Sequence, residues 1–207
     1  YDYKMDYFNN DGSWETMCAN GARCAALFMF KKKLVGNNIL FLAGDGPHQI
    51  KIKNDQNIQL SMIQPKFKSD EISPNQYNGR YVDSGAKHFS TIVNHITPKQ
   101  VKEDGKKIRN DKILFPDGIN VNFMKIINSQ HIKVLTYEKG IENMVLSCGS
   151  GSVASAYYAY QKKLIESPLK ISVPGGTLQL IFNKTWSEVW LSGPARLSPE
   201  TTWDYKE

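Results

Sequence analysis

The feature that most constrains this chain is a motif it carries twice. Met17-Cys18-Ala19-Asn20-Gly21-Ala22-Arg23-Cys24-Ala25-Ala26 and Ser147-Cys148-Gly149-Ser150-Gly151-Ser152-Val153-Ala154-Ser155-Ala156 share one pattern: a cysteine, a small residue, Asn or Ser, a glycine, then a small-residue run that can coil into a helix. A helix N-terminus carries unpaired N–H groups and partial positive charge, so it stabilises a thiolate just ahead of it and lowers that thiol's pKa. The same N–H groups form an anion-sized cradle. A repeated unit predicts two similar halves with the cysteines facing one another across a cleft. Such a pair suits removing a proton from one face of a carbon and delivering one to the other.

The pattern of the remaining residues fits two β-rich halves, each around one helix, in a chain of 207 residues that is 41% hydrophobic. In the first half, Tyr3 to Phe8 reads as a strand ending in the turn cluster Asn9-Asn10-Asp11-Gly12-Ser13. A helix follows from Ala19 to Lys33, stopped by Gly36-Asn37-Asn38. Ile39 to Ala43, Gln49 to Lys53 and Ile58 to Ile63 read as strands. The aperiodic stretch Lys66 to Arg80 is the linker candidate. In the second half, strands are expected at Tyr81 to Asp83, Ser90 to Asn94, Gly118 to Ile127 and Ile132 to Tyr137. A helix from Gly149 to about Ile165 and strands near 170–173, 177–183 and 188–192 complete it. The expected division is 1–70, 71–192, and a tail, 193–207, that returns to the first domain.

The net charge of +6 does not make a nucleic-acid binder, because the lysines are scattered and no aromatic-basic motif accompanies them. No apolar run is long enough to span a membrane, and no signal peptide is visible. The chain opens without an initiator Met, which suggests that its true start is missing. Three cysteines, two at helix starts, favour reduced thiols in a cytoplasmic setting over a disulfide scaffold. Cys18 alone would read as a small buried hydrophobe; the second copy at Cys148 turns the reading toward function. Cys24, among alanines, reads as core packing, and its distance from Cys18 does not fit a zinc pair. Arg23 reads as a structural bridge, Tyr157, Tyr158 and Tyr160 as core, and His48, His95 and His131 as surface.

Further blocks carry a resemblance. Asn9-Asn10-Asp11-Gly12-Ser13, the first cysteine motif, Phe115-Pro116-Asp117-Gly118-Ile119-Asn120-Val121-Asn122-Phe123, Tyr137-Glu138-Lys139-Gly140 and the second cysteine motif occur in the order seen in the diaminopimelate epimerase family. Val173-Pro174-Gly175-Gly176 and Leu191-Ser192-Gly193-Pro194-Ala195 also resemble it, so the likeness runs through nearly the whole chain. It implies an α/β (α+β) fold of two pseudo-symmetric domains, each a β-sheet wrapped around a central helix, with the active site in the cleft between them. It implies a cofactor-independent, two-base epimerase acting on a small amino-acid substrate, LL- and meso-diaminopimelate. Cys18 and Cys148 would be its acid/base pair, and His88 and Glu138 the residues that partner them in proton handling. Asn9, Asn120 and Lys139 would bind substrate. The backbone N–H groups of Ala19, Asn20, Gly149 and Ser150 would receive the α-carboxylate. No metal is expected, nor a nucleic-acid or membrane partner. A homodimer is compatible with the resemblance, which leaves the oligomeric state open.

This sequence departs from the family's pattern at particular residues. Ala19 stands for the usual glycine, adding a methyl where backbone nears substrate. Gly85-Ala86-Lys87-His88 stands for Gly-Asn-Pro-His, and Met144-Val145 for Glu-Thr. Lys139 replaces an arginine and cannot make its two-pronged carboxylate contact. The family's first strand and Gly-rich turn have no counterpart here, so roughly fifty residues of the first domain are expected to be absent, leaving an open sheet edge. Two other readings stay open: a same-fold racemase of proline, hydroxyproline or histidine type, and an inactive fragment that binds without catalysis.

Overall fold

The protein is described here as a computed structural model, covering residues 1–9 and 12–198. The chain runs β1 (Tyr3–Lys4), β2 (Tyr7–Phe8), β3 (Trp14–Glu15), α1 (Ala19–Lys31), β4 (Asn38–Ala43), β5 (Gly46–Asn54), β6 (Asn57–Ser61), β7 (Lys66–Phe67), a 3₁₀ turn (Pro74–Gln76), β8 (Gly79–Asp83) and β9 (Lys87–Ile92). It continues with α2 (Pro98–Arg109), β10 (Asn120–Asn128), β11 (His131–Glu138), β12 (Asn143–Val145), α3 (Gly149–Gln161), β13 (Leu169–Val173), β14 (Gly176–Phe182) and β15 (Val189–Gly193). This is the mixed α/β architecture expected.

Thirteen strands form one continuous sheet in the order β1-β4-β5-β6-β15-β14-β13-β11-β10-β9-β8-β7, with β12 beside β11. The junction between the halves is the antiparallel pair β15–β6, where Leu191 sits opposite Leu60. The sheet curls around two helices. α1 packs on β5 and β6, and α3 on β8 to β11. Residues of both helices and both sets of strands meet in one core, including Ala22, Ala26, Ile50 and Leu60 with Val153, Ala156, Met124 and Leu180. Among the described residues, no helix is long and apolar enough to cross a membrane.

The strands β10 and β11 bury both faces, and this explains a helix that hydrophobic patterning passes over. Met124, Ile132 and Val134 face the core shared with α3. Val121, Phe123, Leu135 and Tyr137 point the other way, into a second core with Val101 and Ile108 of α2. α2 starts on a reciprocal cap: Thr97 Oγ1 accepts the Gln100 N–H at 3.2 Å, and Gln100 Oε1 accepts the Thr97 N–H at 2.9 Å. Pro98 fits the first helical turn, where no N–H is needed.

Other expectations differ in detail. The single strand at Tyr3 to Phe8 is two: β1 pairs in parallel with β4, while β2 pairs with β3 in a separate hairpin. Residues Lys66 to Arg80 are not aperiodic linker; they supply the edge strand β7, the 3₁₀ turn and the start of β8. α1 ends at Lys31 and α3 at Gln161, each a little early. Cys24 is exposed rather than core, because the buried stripe of α1 is Ala19, Ala22, Arg23, Ala26 and Leu27. His48 is buried rather than on the surface, since it points inward from β5 with Ile50 and Ile52. Of the tail expected at 193–207, the part to Ser198 is described, and there the Ala195 N–H donates to the Asp55 carbonyl at 3.0 Å. Asn10 and Asp11 of the expected turn, and 199–207, lie outside the described residues.

Candidate active site

The two cysteine-capped helices point their N-termini into one cleft and touch there. Ala19 is 6% exposed, and a Cβ added at Gly149 would stand 2.6 Å from the Ala19 Cβ. The methyl that departs from the family pattern is therefore turned against the opposite helix, and Gly149 leaves room for it. The cleft holds about 350 Å³. Of the residues singled out in the sequence, Cys18, Cys148, Glu138, Asn9, Ala19, Asn20, Asn120, Lys139, Gly149 and Ser150 line it. His88 does not reach the cleft surface; it is fully buried behind Ser150.

Behind Cys148 the hydrogen bonds run in one direction. Thr136 Oγ1 donates to Asn122 Oδ1 at 2.8 Å, which turns the amide nitrogen of Asn122 toward His88 Nδ1 at 3.1 Å. His88 Nδ1 is then the acceptor, so Nε2 carries the proton and donates to Ser150 Oγ at 2.9 Å. Ser150 Oγ lies 3.6 Å from Cys148 Sγ. Burial drives the His88 pKa down to about 3, against the pull of the Asn122 hydrogen bond, so the ring is neutral. Gly151 is needed here, because a Cβ would collide with Asn122 Oδ1 and lie 3.2 Å from His88 Cε1.

Burial, with the charge of Glu138, pushes the Cys148 thiol up to about 12; the Gly151 N–H and Ser150 hydroxyl oppose this without offsetting it. This corrects the expectation that a helix N-terminus lowers both thiols: for Cys148, lost hydration and a facing carboxylate outweigh the dipole. Glu138 is raised in turn by burial, against its hydrogen bond with Cys148. A raised carboxyl and a raised thiol in contact form a proton-holding pair.

Cys18 has different company. Its Sγ accepts the Gly21 N–H at 3.4 Å. Asn20 is engaged on both sides of its amide: Nδ2 donates to the Ser147 carbonyl at 3.2 Å, and Oδ1 accepts from Arg23 Nη2 at 2.6 Å. Asn20 thus straps the first cysteine loop to the second. Arg23 is buried, and its Nε and Nη1 have no hydrogen-bond partner among the described residues. Tyr7, from β2, stands beside Cys18; burial first, then the Cys18 sulfur and the carboxylates of Glu138 and Glu15, push its phenol up to about 12.

Charged and amide groups ring the mouth. Asn120 Oδ1 accepts the Lys139 N–H at 2.9 Å, and its Nδ2 donates to the Lys87 carbonyl at 3.0 Å. Lys87 Nζ pairs with Asp117 at 2.8 Å. Asn9 Nδ2 donates to Ser13 Oγ at 3.0 Å. Tyr7, Glu15 and Asp83 also line the cleft. Sequence reasoning passed over these three, and also Asn122 and Thr136 behind the wall. Asn122 lay inside a quoted block; Tyr7 and Glu15 sit on a hairpin too short for periodicity to register. Among the described residues, no group of three or more His, Cys, Asp or Glu is placed to hold a metal ion.

Comparison with known proteins bears on the family of the chain. A profile of the diaminopimelate epimerase family matches residues 80–197. The diaminopimelate epimerase of Chlorobaculum tepidum is 35% identical over 199 residues, spanning 94% of this chain and 77% of that protein. That of Flavobacterium psychrophilum is 33% identical over 205 residues, spanning 97% and 78%. Among solved structures, a hydroxyproline epimerase from Agrobacterium vitis superposes with a TM-score of 0.75 at 12% identity, over 92% of this chain and 67% of that one. A predicted epimerase from Pseudomonas aeruginosa gives 0.69 at 12% identity, over 96% and 79%. At that identity the two structures speak for the fold alone; the matched profile and the sequence relatives carry the assignment, and the chain belongs to the diaminopimelate epimerase family of isomerases.

Proposed function

We propose that this chain interconverts LL- and meso-diaminopimelate, a step of lysine and peptidoglycan synthesis, by proton transfer between two thiols and the substrate's α-carbon. The observation that carries the reading is the pair of cysteines capping two abutting helices in one cleft. One sulfur, as thiolate, takes the α-proton and becomes a thiol. The electron pair left on carbon is drawn into the α-carboxylate, and the opposite thiol gives its proton to the other face. The reverse reaction exchanges the roles, so each sulfur must serve as acid and as base. The N–H groups of Ala19, Asn20, Gly149 and Ser150 receive the carboxylate as its charge grows. Glu138 and the His88–Ser150 pair attend the thiol of Cys148.

The far end of the substrate has its own ammonium and carboxylate, and the cleft mouth offers both signs. Lys139, Lys87, Asn9 and Asn120 can take the carboxylate, and Glu15 and Asp83 the ammonium. A proline-sized substrate would leave these groups unused, which favours diaminopimelate over the hydroxyproline substrate of the Agrobacterium protein.

The test is α-proton exchange in D₂O, followed by NMR, on LL-diaminopimelate and on trans-4-hydroxy-L-proline, with wild type beside Cys18→Ala and Cys148→Ala. Exchange with epimerisation of diaminopimelate, lost in both variants, is the expected result. Exchange on hydroxyproline alone moves the assignment to the imino acid. Exchange on neither, by folded protein, overturns the catalytic reading.

A further inference from the structure

The two cysteines are N-cap residues of helices of one length and nearly one backbone conformation, yet among the described residues the polar groups behind Cys148 have no counterpart beside Cys18. Gly21 stands where Gly151 does, and Asn20 where Ser150 does, but the Asn20 amide is already engaged by Ser147 and Arg23. The group that approaches the first sulfur comes from the β2–β3 hairpin. A methyl at Gly21 would lie 3.7 Å from Cys18 Sγ and 3.9 Å from Tyr7 Cδ2, so the ring and the sulfur flank the same point of α1. Tyr7 is held by its pairing with Glu15 and by Phe8 opposite Trp14. Tyr7 and Cys18 line the same side of one cleft.

We propose that Tyr7 is the positioning residue of Cys18: its hydroxyl donates a hydrogen bond to the Cys18 sulfur, aims it into the cleft and favours its thiolate. The inference rests on the reading of Cys18 as a proton-transferring thiol. Among the described residues, the ionisable groups around Cys18 and Tyr7 are Glu15 from the hairpin, Glu138 from β11, Cys148 from α3 and Arg23 from α1. A phenol held near 12 keeps its proton at neutral pH, so Tyr7 acts as a donor and does not compete as a base. The two proton carriers then differ by design of their neighbours: a phenol holds one, and a serine and a carboxyl hold the other.

The test is the rate of iodoacetamide alkylation at each cysteine, resolved by mass spectrometry from mildly acid to alkaline pH, in wild type and Tyr7→Phe. Loss of a hydrogen bond to a thiolate should slow Cys18 about tenfold near neutral pH and displace its profile to higher pH. The Cys148 profile should not move. In turnover, kcat should fall with KM held and the acid limb displaced the same way. Superimposable Cys18 profiles overturn the proposal. Should Tyr7→Phe fail to fold, Cys18→Ala with ¹³C-labelled tyrosine reads the same coupling from the other side, because coupling is reciprocal. The Tyr7 phenol should titrate lower than in wild type, and an unmoved titration overturns the proposal. Alkylation does not depend on the substrate. A displaced profile in a protein that epimerises nothing upholds Tyr7 and sinks the proposed function; an unmoved profile in an active epimerase does the reverse.

Discussion

α1 and α3 are near-copies in backbone and unlike in surroundings. Each has thirteen residues and a cysteine N-cap, with φ/ψ of −124°/113° at Cys18 and −127°/112° at Cys148. Each ends with a lysine in the left-handed region, Lys33 at φ 61° and Lys163 at φ 60°. The following leucines close the same turn, Leu34 to the Met29 carbonyl and Leu164 to the Ala159 carbonyl. α3, however, is buried along most of its length, whereas α1 leaves Cys24 and Phe28 exposed. The second half also carries α2, on the face of β10 and β11 turned away from α3. The repeat therefore supplies two equivalent sulfur positions, and the neighbours make them chemically unequal.

The comparison breaks first at the sulfurs. If both are needed, Cys18→Ala and Cys148→Ala each lose about 10³-fold or more in epimerisation rate. A variant that keeps more than a tenth of wild-type turnover would remove its cysteine from the pair. The helix contact comes next. Gly149→Ala should cost up to about 3 kcal/mol in urea unfolding through its collision with Ala19. Adding Ala19→Gly should recover most of that; no recovery would mean the methyl clashes elsewhere.

The histidines sharpen the contrast through pH. His88 is held at about 3 in the fold and titrates near 6.5 when unfolded, so below 6.5 only the unfolded chain takes up the proton. Its contribution to stability is present above 6.5 and is lost as pH falls toward 3, about 2 kcal/mol of it by pH 5. His88→Gln should flatten the wild-type fall in unfolding free energy between pH 7 and 5 by that amount. His48 has the opposite sign. Burial lowers it, but Asp45 at 2.8 Å and the Ser61 carbonyl raise it overall, so its contribution is present at low pH and lost as pH rises. His48→Gln should steepen the same fall. The smallest effect is expected at Lys87→Ala: its pair with Asp117 is solvent-exposed, and the melting temperature should not move measurably.

Both cysteine helices were legible because their signal is local: cap, glycine and small residues lie within a few positions. The strands were legible where one face alternates. α2 was not, since its surface is almost all charge and its buried anchors are only Val101, Gly105 and Ile108. The Thr97-Pro98-Lys99-Gln100 cap was its available signal. Cys24 was misread because alanines surround it in sequence, although the i, i+3, i+4 stripe of buried residues leaves it outside. His48 was misread because β5 begins before Gln49, which shifts the inward set to include it. Cys18, Cys148 and the residues of the quoted blocks could be singled out from sequence. Tyr7's approach to Cys18, and the line from Thr136 through Asn122 and His88 to Ser150, depend on strands that meet only in the folded sheet.

The pairing of β15 with β6 has a consequence for how the molecule is made. The first half cannot close its sheet with its own strands: Ile58 and Leu60 gain their partners Gly193 and Leu191 only after everything between has been synthesised. Until then β6 is an open edge carrying the apolar row that later becomes core. Such long-range closure slows folding and leaves a nascent chain dependent on protection from self-association. Ribosome-bound chains halted before Val189 should therefore be protease-sensitive from β4 through β6, and resistance should appear only once β15 has emerged.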